Sequence, residues 1–333
     1  MKALVLKEIN ELEIQENFPR PSPSKNEVVI KVKYCGICGS DLEAYQYGEV
    51  LKGFMPLILG HEFSGEIAEI GAKVEGWNLG DRVTAYPGKF CGKCYYCQRG
   101  QENLCKRILF GLGITVNGAI AEYVKVPAKL LCKLPDSLSY EEGAVVEPLA
   151  VGYHGVKLAG IQPGDAALVI GAGTIGLATI QALKLFKINE IYISEPSEFN
   201  RNLALQMGVS KAVRPARINK VGPDFVFDCA GFPDTYKNDI EMIRNGGTIV
   251  LLGVHFEPVA ISFLQLIMKE VNVKGSFGYS YDEFKEILSL LGQGKFQTDL
   301  IISKKVKLEN AIEKGFKELL SPEKQVAKIL IEI

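Results

Sequence analysis

The chain has 333 residues, 47% of them hydrophobic and 23% charged, which is typical of a soluble globular protein large enough for two domains. Lys and Arg number 38 against 39 for Asp and Glu, and this charge balance argues against the basic surface that nucleic-acid binding needs. No apolar leader or membrane-length apolar run is visible, and we therefore expect a cytoplasmic protein with reduced cysteines and no membrane partner.

The first 148 residues consist of short strand-like runs separated by Gly, Pro and polar turns. Examples are VVIKVKY at 28–34 and EIAEIG at 66–71. Short alternating runs with frequent turn signals predict an all-β domain with a barrel-like core, which we place at residues 1–150.

Four of the eight cysteines lie in CGKCYYCQRGQENLC, namely Cys91, Cys94, Cys97 and Cys105. In a reducing compartment, such a cluster indicates a metal site or redox chemistry rather than disulfides. The C-x2-C steps can place four thiolates around one tetrahedral zinc, whereas the C-x3-C-P ending of many iron–sulfur sites is absent. We favour a closed structural zinc in a lobe at about 88–108 over four unconnected thiols, and expect catalysis elsewhere.

From about residue 150 the pattern changes to strands that alternate with helices. Helices are predicted near 174–187 and 233–245. The strand-like runs are 166–170, 190–195, 225–230, 248–253 and 271–277. This alternation predicts a parallel sheet covered by helices, here assigned to 151–287. The remaining segment, 288–333, holds a predicted helix near 309–320 and a closing strand, and it is too short for a domain, so we expect it to return to the first one.

A glycine-rich motif, GAGTIG at 171–176, follows the first of these strands and opens a helix. Gly171 permits a tight turn, Gly173 allows the backbone to approach a pyrophosphate, and Gly176 allows close packing of helix and strand. Thr174 and Ile175 begin the helix, whose free N–H groups can bind phosphate. The context predicts a dinucleotide site.

The second strand ends at Glu195, 24 residues after Gly171. A carboxylate at this position can accept hydrogen bonds from both ribose hydroxyls of NAD and would repel the 2′-phosphate of NADP. Arg201 is the nearest cation that could reverse this preference, but it lies further along a helical run. We therefore predict NAD, the alternative being a solvated Glu at a strand end.

Three further segments contain the residue types of an open metal site. They are CGICGSD (35–41), GHEFSGEIAEIG (60–71) and EGAVVEPLAVGYHG (142–155). Cys38, His61 and the carboxylates Glu62 and Glu147 make a mixed set suited to a catalytic zinc with one position free. For His154 and His255 we keep the ordinary interpretation of a structural histidine.

These segments, taken in this order with the cysteine lobe and GAGTIG, resemble the zinc-containing medium-chain dehydrogenases of the alcohol dehydrogenase superfamily. The resemblance covers essentially the whole chain. It implies an α/β protein with a GroES-like β-barrel-type catalytic domain, a Rossmann coenzyme domain and an active site between them. It also implies two zinc ions per chain, one catalytic and one structural.

The resemblance assigns Cys38 as the first catalytic-zinc ligand and His61 as the second, with Asp41 orienting the histidine. The third position stays open between Glu62, which ligates or exchanges with water in relatives, and Glu147. A glutamate at 147 resembles the sorbitol and butanediol dehydrogenases more than the ethanol-type enzymes. We therefore predict oxidation of a polyol or vicinal diol.

In such enzymes zinc polarises the substrate hydroxyl and hydride passes to the nicotinamide. Ser40 would accept the hydroxyl proton. Glu43 stands where many relatives have a relay histidine, so the resemblance does not assign the group that passes the proton on. Phe277 and Tyr279 would line the substrate pocket, or simply pack at a sheet edge. The resemblance further implies sheet pairing into dimers and a homotetramer.

Two rival functions remain. One is an L-threonine 3-dehydrogenase, although relatives of that kind usually carry a histidine just before the cysteine lobe, where this chain reads YPGKFC. The other is a catalytically silent protein that binds NAD and zinc.

Overall fold

A computed structural model of the chain describes residues 1–48, 51, 53–107, 111–215, 222–255 and 257–333. The first part is built of strands with two short helices, α1 (Gly39–Gln46) and α2 (Tyr140–Ala144). The strands are β1 (Ala3–Glu8), β2 (Glu11–Gln15), β3 (Glu27–Gly36), β4 (Leu57–Ile58), β5 (Glu62–Ile70), β6 (Arg82–Ala85), β7 (Tyr123–Pro127) and β8 (Leu131–Lys133).

The second part alternates helices and strands. They are α3 (Val146–Ala159), β9 (Ala166–Ile170), α4 (Thr174–Leu185), β10 (Glu190–Ser194), α5 (Glu198–Gln206), β11 (Lys211–Val213), β12 (Phe225–Asp228), α6 (Pro233–Met242), β13 (Thr248–Leu251), α7 (Phe263–Lys269), β14 (Asn272–Gly275) and α8 (Tyr281–Gly292). The strand order is β11-β10-β9-β12-β13-β14, and all pairs are parallel. Helices cover both faces of such a sheet, which explains why β9 is a nearly continuous apolar run.

The last segment joins the sheet that contains β3, β5, β6 and β8. It contains β15 (Ile302–Lys307), α9 (Lys317–Leu320) and β16 (Lys328–Glu332), and its predicted helix at 309–320 is broken into a short 3-10 turn, a π turn at Ile312–Phe316 and α9. β16 pairs in parallel with β15 and antiparallel with β3. The sheet order β15-β16-β3-β5-β6-β8 therefore places the chain's last strand beside the β3–β5 pair, where the candidate site lies.

The fold class predicted from the sequence, a β-barrel-type domain with a parallel dinucleotide-binding sheet, is confirmed. The domain limits stay a prediction: α3 spans position 150 and α8 spans position 287. Across the part of the chain that the structure describes, no helix has the length and apolarity to cross a membrane.

Candidate active site

The loop after β3 and the loop before β5 bring Cys38, His61 and Glu62 together. Cys38 lies just after β3, and Glu62 begins β5, whose antiparallel register puts it opposite Gly36. A side chain at Gly36 would place its Cβ 2.1 Å from a Glu62 carboxylate oxygen, so only glycine allows this approach. One ligand atom from each of Cys38, His61 and Glu62 lies within 4.8 Å of the others. Such a mixed donor set suits a divalent metal with an open position.

Asp41 fastens the two loops to each other. Its carboxylate accepts hydrogen bonds from the backbone N–H of Cys38 at 2.9 Å and of Gly60 at 3.1 Å. One carboxylate oxygen lies 4.0 Å from Nδ1 of His61. Asp41 is thus the group that holds the relative position of the two ligand-bearing loops.

The surroundings of His61 are rich in negative charge. Burial by itself would lower the pKa of His61, but the thiolate of Cys38 and the carboxylates of Asp41 and Glu147 raise it well above its usual value. Nδ1 of His61 is buried without a hydrogen-bond partner among the described residues. A concentration of anionic donors around a buried imidazole is the environment that a zinc ion fits.

Glu62 is paired with Lys328, a residue that was not among those predicted for the site. Both of its carboxylate oxygens accept hydrogen bonds from Nζ of Lys328, at 2.8 and 2.7 Å, and the same Nζ donates to the carbonyl of Ile37 at 2.8 Å. Lys328 and Glu62 are both buried. The only available signal was a single cation at the start of the apolar closing strand KILIEI.

Glu147 lies in the first turn of α3 and borders a small cavity. The hydroxyl of Tyr279 donates to its Oε1 at 2.8 Å. Burial raises the pKa of Glu147 to about 6, although the nearby His61 acts in the opposite direction. The cavity has a volume of about 130 Å³, and its lining includes His61, Glu147, Phe277, Tyr279 and Asn103.

The two predicted pocket residues differ in exposure. Phe277 is 44% exposed, whereas Tyr279 is almost fully buried and engaged with Glu147. Ser40 lies in the first turn of α1, two residues after Cys38, and is partly exposed. Glu43 lies on the same helix, where burial raises its pKa. A larger cavity, of about 670 Å³, shares the Tyr86–Gly88 wall but is lined by none of the predicted catalytic-zinc ligands.

The four cysteines of the lobe converge on one point. Their sulfurs lie within 4.8 Å of one another, with Cys94–Cys97 at 3.5 Å, Cys94–Cys105 at 3.8 Å and Cys91–Cys97 at 3.9 Å. Zinc–sulfur bonds of 2.3 Å in a tetrahedron require sulfurs about 3.8 Å apart. A backbone hydrogen bond from Cys97 is the main cause that lowers the pKa of the Cys94 thiol to about 6, so this ligand is ready as a thiolate. The donor set fits a closed zinc site.

The glycine-rich loop has the geometry of a dinucleotide-binding turn. Gly171 has φ +84°, a left-handed conformation that favours glycine, and Gly173 caps the start of α4. A Cβ at Gly176 would lie 1.9 Å from the carbonyl oxygen of Gly171. Thr174 donates its hydroxyl to the carbonyl of Ala327 at 2.9 Å, which joins the loop to the last segment. The loop also lies where the sheet order turns, with β10 and β12 on either side of β9.

Glu195 closes this loop from the end of β10. Its carboxylate accepts from the backbone N–H of Ala172 at 2.7 Å and of Ser197 at 2.7 Å. Arg201, which the sequence placed at a distance along a helix, folds back and donates to the carbonyls of Glu195 and Pro196 at 2.8 and 2.7 Å. A cation therefore lies at the backbone of the predicted ribose-binding position.

The remaining histidines and Cys35 lie outside the ligand cluster. Nδ1 of His154 is 2.8 Å from a carboxylate oxygen of Glu283, which links α3 to α8. Nε2 of His255 is buried without a partner among the described residues. Cys35 is fully buried, and burial raises the pKa of its thiol well above the usual value.

A Cys–His–Glu cluster that could hold a metal, in a protein that also has a parallel sheet with a glycine-rich turn, is the arrangement expected of a metal-containing dehydrogenase. Family models agree: residues 24–136 match the alcohol dehydrogenase GroES-like domain and 174–293 match the zinc-binding dehydrogenase domain. The chain belongs to the zinc-containing medium-chain dehydrogenases of the alcohol dehydrogenase superfamily and falls in their polyol dehydrogenase branch.

Relatives and solved structures match along almost the whole chain. (R,R)-Butanediol dehydrogenase of Bacillus subtilis (strain 168) is 36% identical over 337 residues, 95% of each chain. Sorbitol dehydrogenase of the same strain is 32% identical over 93% of this chain and 91% of its own. The crystal structure of Bacillus subtilis 2R,3R-butanediol dehydrogenase has a TM-score of 0.90 at 35% identity, covering 100% of this chain and 99% of the other. A zinc-binding dehydrogenase from Sinorhizobium meliloti 1021, bound to NADP, has a TM-score of 0.90 at 32% identity with the same coverage.

Proposed function

We propose that the chain oxidises a secondary alcohol, either a polyol or a vicinal diol such as sorbitol or 2,3-butanediol, to a ketone and transfers the hydride to NAD. The observation that carries this proposal is the convergence of Cys38, His61 and Glu62 next to a cavity lined by His61 and Glu147. The similarity to a butanediol and a sorbitol dehydrogenase supports the substrate class.

In this proposal Cys38 and His61 hold a catalytic zinc, with Glu62 and Glu147 as the carboxylates available to it. Zinc held there supplies a Lewis acid for the substrate oxygen. Asp41 keeps the two ligand loops in register, and Tyr279 holds one oxygen of Glu147 toward the cavity. Ser40, close to Cys38 and partly exposed, takes the hydroxyl proton on its way to solvent. The cysteine lobe holds a second, structural zinc.

For the cofactor, we propose NAD rather than NADP. Each Glu195 oxygen accepts one backbone N–H, and a carboxylate oxygen can accept a further hydrogen bond, which leaves capacity for the ribose hydroxyls. A 2′-phosphate would face the Glu195 charge. Against this stand the guanidinium of Arg201 at the Glu195 carbonyl and the NADP found with the Sinorhizobium neighbour.

For assembly, we propose a homotetramer made of two sheet-paired dimers. Among the described residues β14 is the last strand of the parallel sheet, and no described strand pairs with its outer edge. Next to it, α7 leaves its apolar residues Phe263, Leu264, Ile267 and Met268 each at least 65% exposed. A contiguous apolar surface of this kind beside a free strand edge supports contact with a second copy.

The test is the appearance of NADH absorbance when the zinc-loaded protein and NAD are mixed with diols, polyols, threonine or ethanol. We expect the highest kcat/KM with a vicinal diol or a polyol. Activity confined to threonine would make the chain a threonine 3-dehydrogenase. NAD and zinc binding with no NADH from any alcohol would make it a silent binding protein.

A further inference from the structure

The turn between the third and fourth cysteines of the lobe packs against the segment that follows β14. Asn103 lies in this turn, two residues before Cys105, and is only 5% exposed. Its Nδ2 donates to the carbonyl of Phe277 at 2.7 Å. The lobe therefore holds the backbone at Phe277 by a hydrogen bond from a buried side chain.

The segment held in this way carries Tyr279. Gly278 has φ +55°, outside any strand or helix, so regular secondary structure does not fix the backbone here. Instead, the Phe277 carbonyl accepts from Asn103, and the Tyr279 carbonyl accepts from the hydroxyl of Tyr86 at 3.1 Å. Side chains from the first domain thus fix the backbone on both sides of Gly278.

Tyr279 connects this segment to the candidate metal site. Its side chain is 3% exposed, and its hydroxyl reaches Oε1 of Glu147 at 2.8 Å. Asn103, Tyr279, Glu147 and His61 all line the same cavity. A continuous path therefore runs from Cys105 through Asn103 and the backbone at 277–279 to the carboxylate that faces the proposed substrate.

We propose that Asn103 is a positioning residue for the reaction: it fixes the backbone of Phe277 and Gly278 so that the Tyr279 hydroxyl holds Glu147 in place. The four-cysteine lobe then orders the open metal site as well as its own fold. This inference rests on the role proposed above for Glu147. Without the Asn103 Nδ2 donor, the segment at 277–279 can shift. A Tyr279 hydroxyl displaced by about 1 Å loses most of its hydrogen bond to the Glu147 carboxylate.

The test compares Asn103→Ala and Tyr279→Phe, singly and together. We expect each single variant to lower kcat about tenfold with little change in KM for NAD. Tyr279→Phe removes the hydrogen bond to the Glu147 carboxylate, and Asn103→Ala removes the hydrogen bond that holds the backbone next to Tyr279. The double variant should be no slower than the slower single variant, since both changes abolish the same contact. Fully additive losses would overturn the proposal, because independent structural defects add.

Two further variants separate the hydrogen bond from packing. Asn103→Asp has nearly the same shape but no N–H for the Phe277 carbonyl, so it should be as slow as Asn103→Ala. Gln101→Ala changes an exposed amide two residues away and should stay within about twofold of the parent, as surface substitutions usually do. An Asn103→Asp variant with parental kcat would contradict the proposal.

A second readout needs no substrate. The rate at which a chelator removes zinc from the open site should rise in Asn103→Ala and Tyr279→Phe, and stay unchanged in Gln101→Ala. If no alcohol is oxidised yet these rates behave as expected, the proposed function fails and the positioning role stands. If diols are oxidised at parental rates by Asn103→Ala, the positioning role fails and the proposed function stands.

Discussion

Lys328 and Glu62 form a buried ion pair that joins the last strand to the start of β5. The relative exposure of the Lys328 side chain is 2% and that of Glu62 is 0%, and the lysine also satisfies the carbonyl of Ile37. Lys328→Met keeps most of the apolar stem but removes the charge and all three donated hydrogen bonds. The Glu62 carboxylate is then left buried and unpaired.

The expected loss follows from this burial. Removing one partner of a buried pair typically costs about 3–5 kcal/mol, because the remaining charge stays desolvated. Burial alone would lower the pKa of Lys328, but the Glu62 carboxylate raises it above the usual 10.5. A lysine whose pKa is higher in the folded than in the unfolded protein contributes stability at every pH below its unfolded-state pKa. That contribution is lost only as the pH rises through the folded-state pKa. The full loss should therefore be measurable at neutral pH.

The assay is guanidinium denaturation of the parent and Lys328→Met at neutral pH, followed by circular dichroism. Lys305→Ala is the matched control: it lies on the neighbouring strand, and its pair with Glu141 at 3.0 Å is far less buried, with side-chain exposures of 51% and 24%. An exposed pair contributes about 0–1 kcal/mol. Adding Glu62→Gln to Lys328→Met should restore part of the lost stability. If Lys328→Met costs no more than Lys305→Ala, this reasoning about the buried pair is refuted.

Three further predictions concern the cofactor, the substrate and acid stability. Glu195→Ala should weaken NAD binding and relax discrimination against NADP in kcat/KM, and a parent that already prefers NADP would contradict the role given to Glu195. The parent should oxidise a vicinal diol or polyol with higher kcat/KM than ethanol, and equal or better use of ethanol would exclude that substrate class. Burial would raise the pKa of Glu283, but the hydrogen bond with His154 helps to lower it to about 2. In urea denaturation, Glu283→Gln should therefore cost about 1–2 kcal/mol at pH 7, allowing for solvent screening, and much less near pH 2. An equal loss at both pH values would show that the pair is not the cause.

Local sequence patterns were sufficient to predict the parallel sheet. AALVI is an apolar run followed at once by GAGTIG, and β9 occupies that run, Ala166–Ile170, with α4 beginning at Thr174. The sequence did not reveal α3, because the run VEPLAVGYHGVKLA contains Pro148 and two glycines and lacks a clear polar face. Pro148 lies in the first helical turn, where its missing N–H costs nothing.

The partners of the site carboxylates could not be predicted from the sequence. The cysteine lobe and the glycine motif are readable because their members are close in sequence, and spacing limits their geometry. Lys328 is 266 residues from Glu62, and Tyr279 is 132 residues from Glu147. These pairs depend on β16 joining β3 and on the backbone path after β14, which only the tertiary structure determines.

Zinc content and turnover of two cysteine variants test the central claim that the lobe is structural and the Cys38–His61 site is reactive. The parent should hold about two zinc ions per chain, and each variant about one, since the sites share no ligand. Cys94→Ser should unfold at lower temperature and retain activity in the folded fraction, because losing a closed site removes folding free energy. Cys38→Ser should stay folded and bind NAD but lose turnover by several orders of magnitude, because the Lewis acid is gone. A parent with one zinc, or a Cys94→Ser variant that is stable yet inactive, would contradict the account.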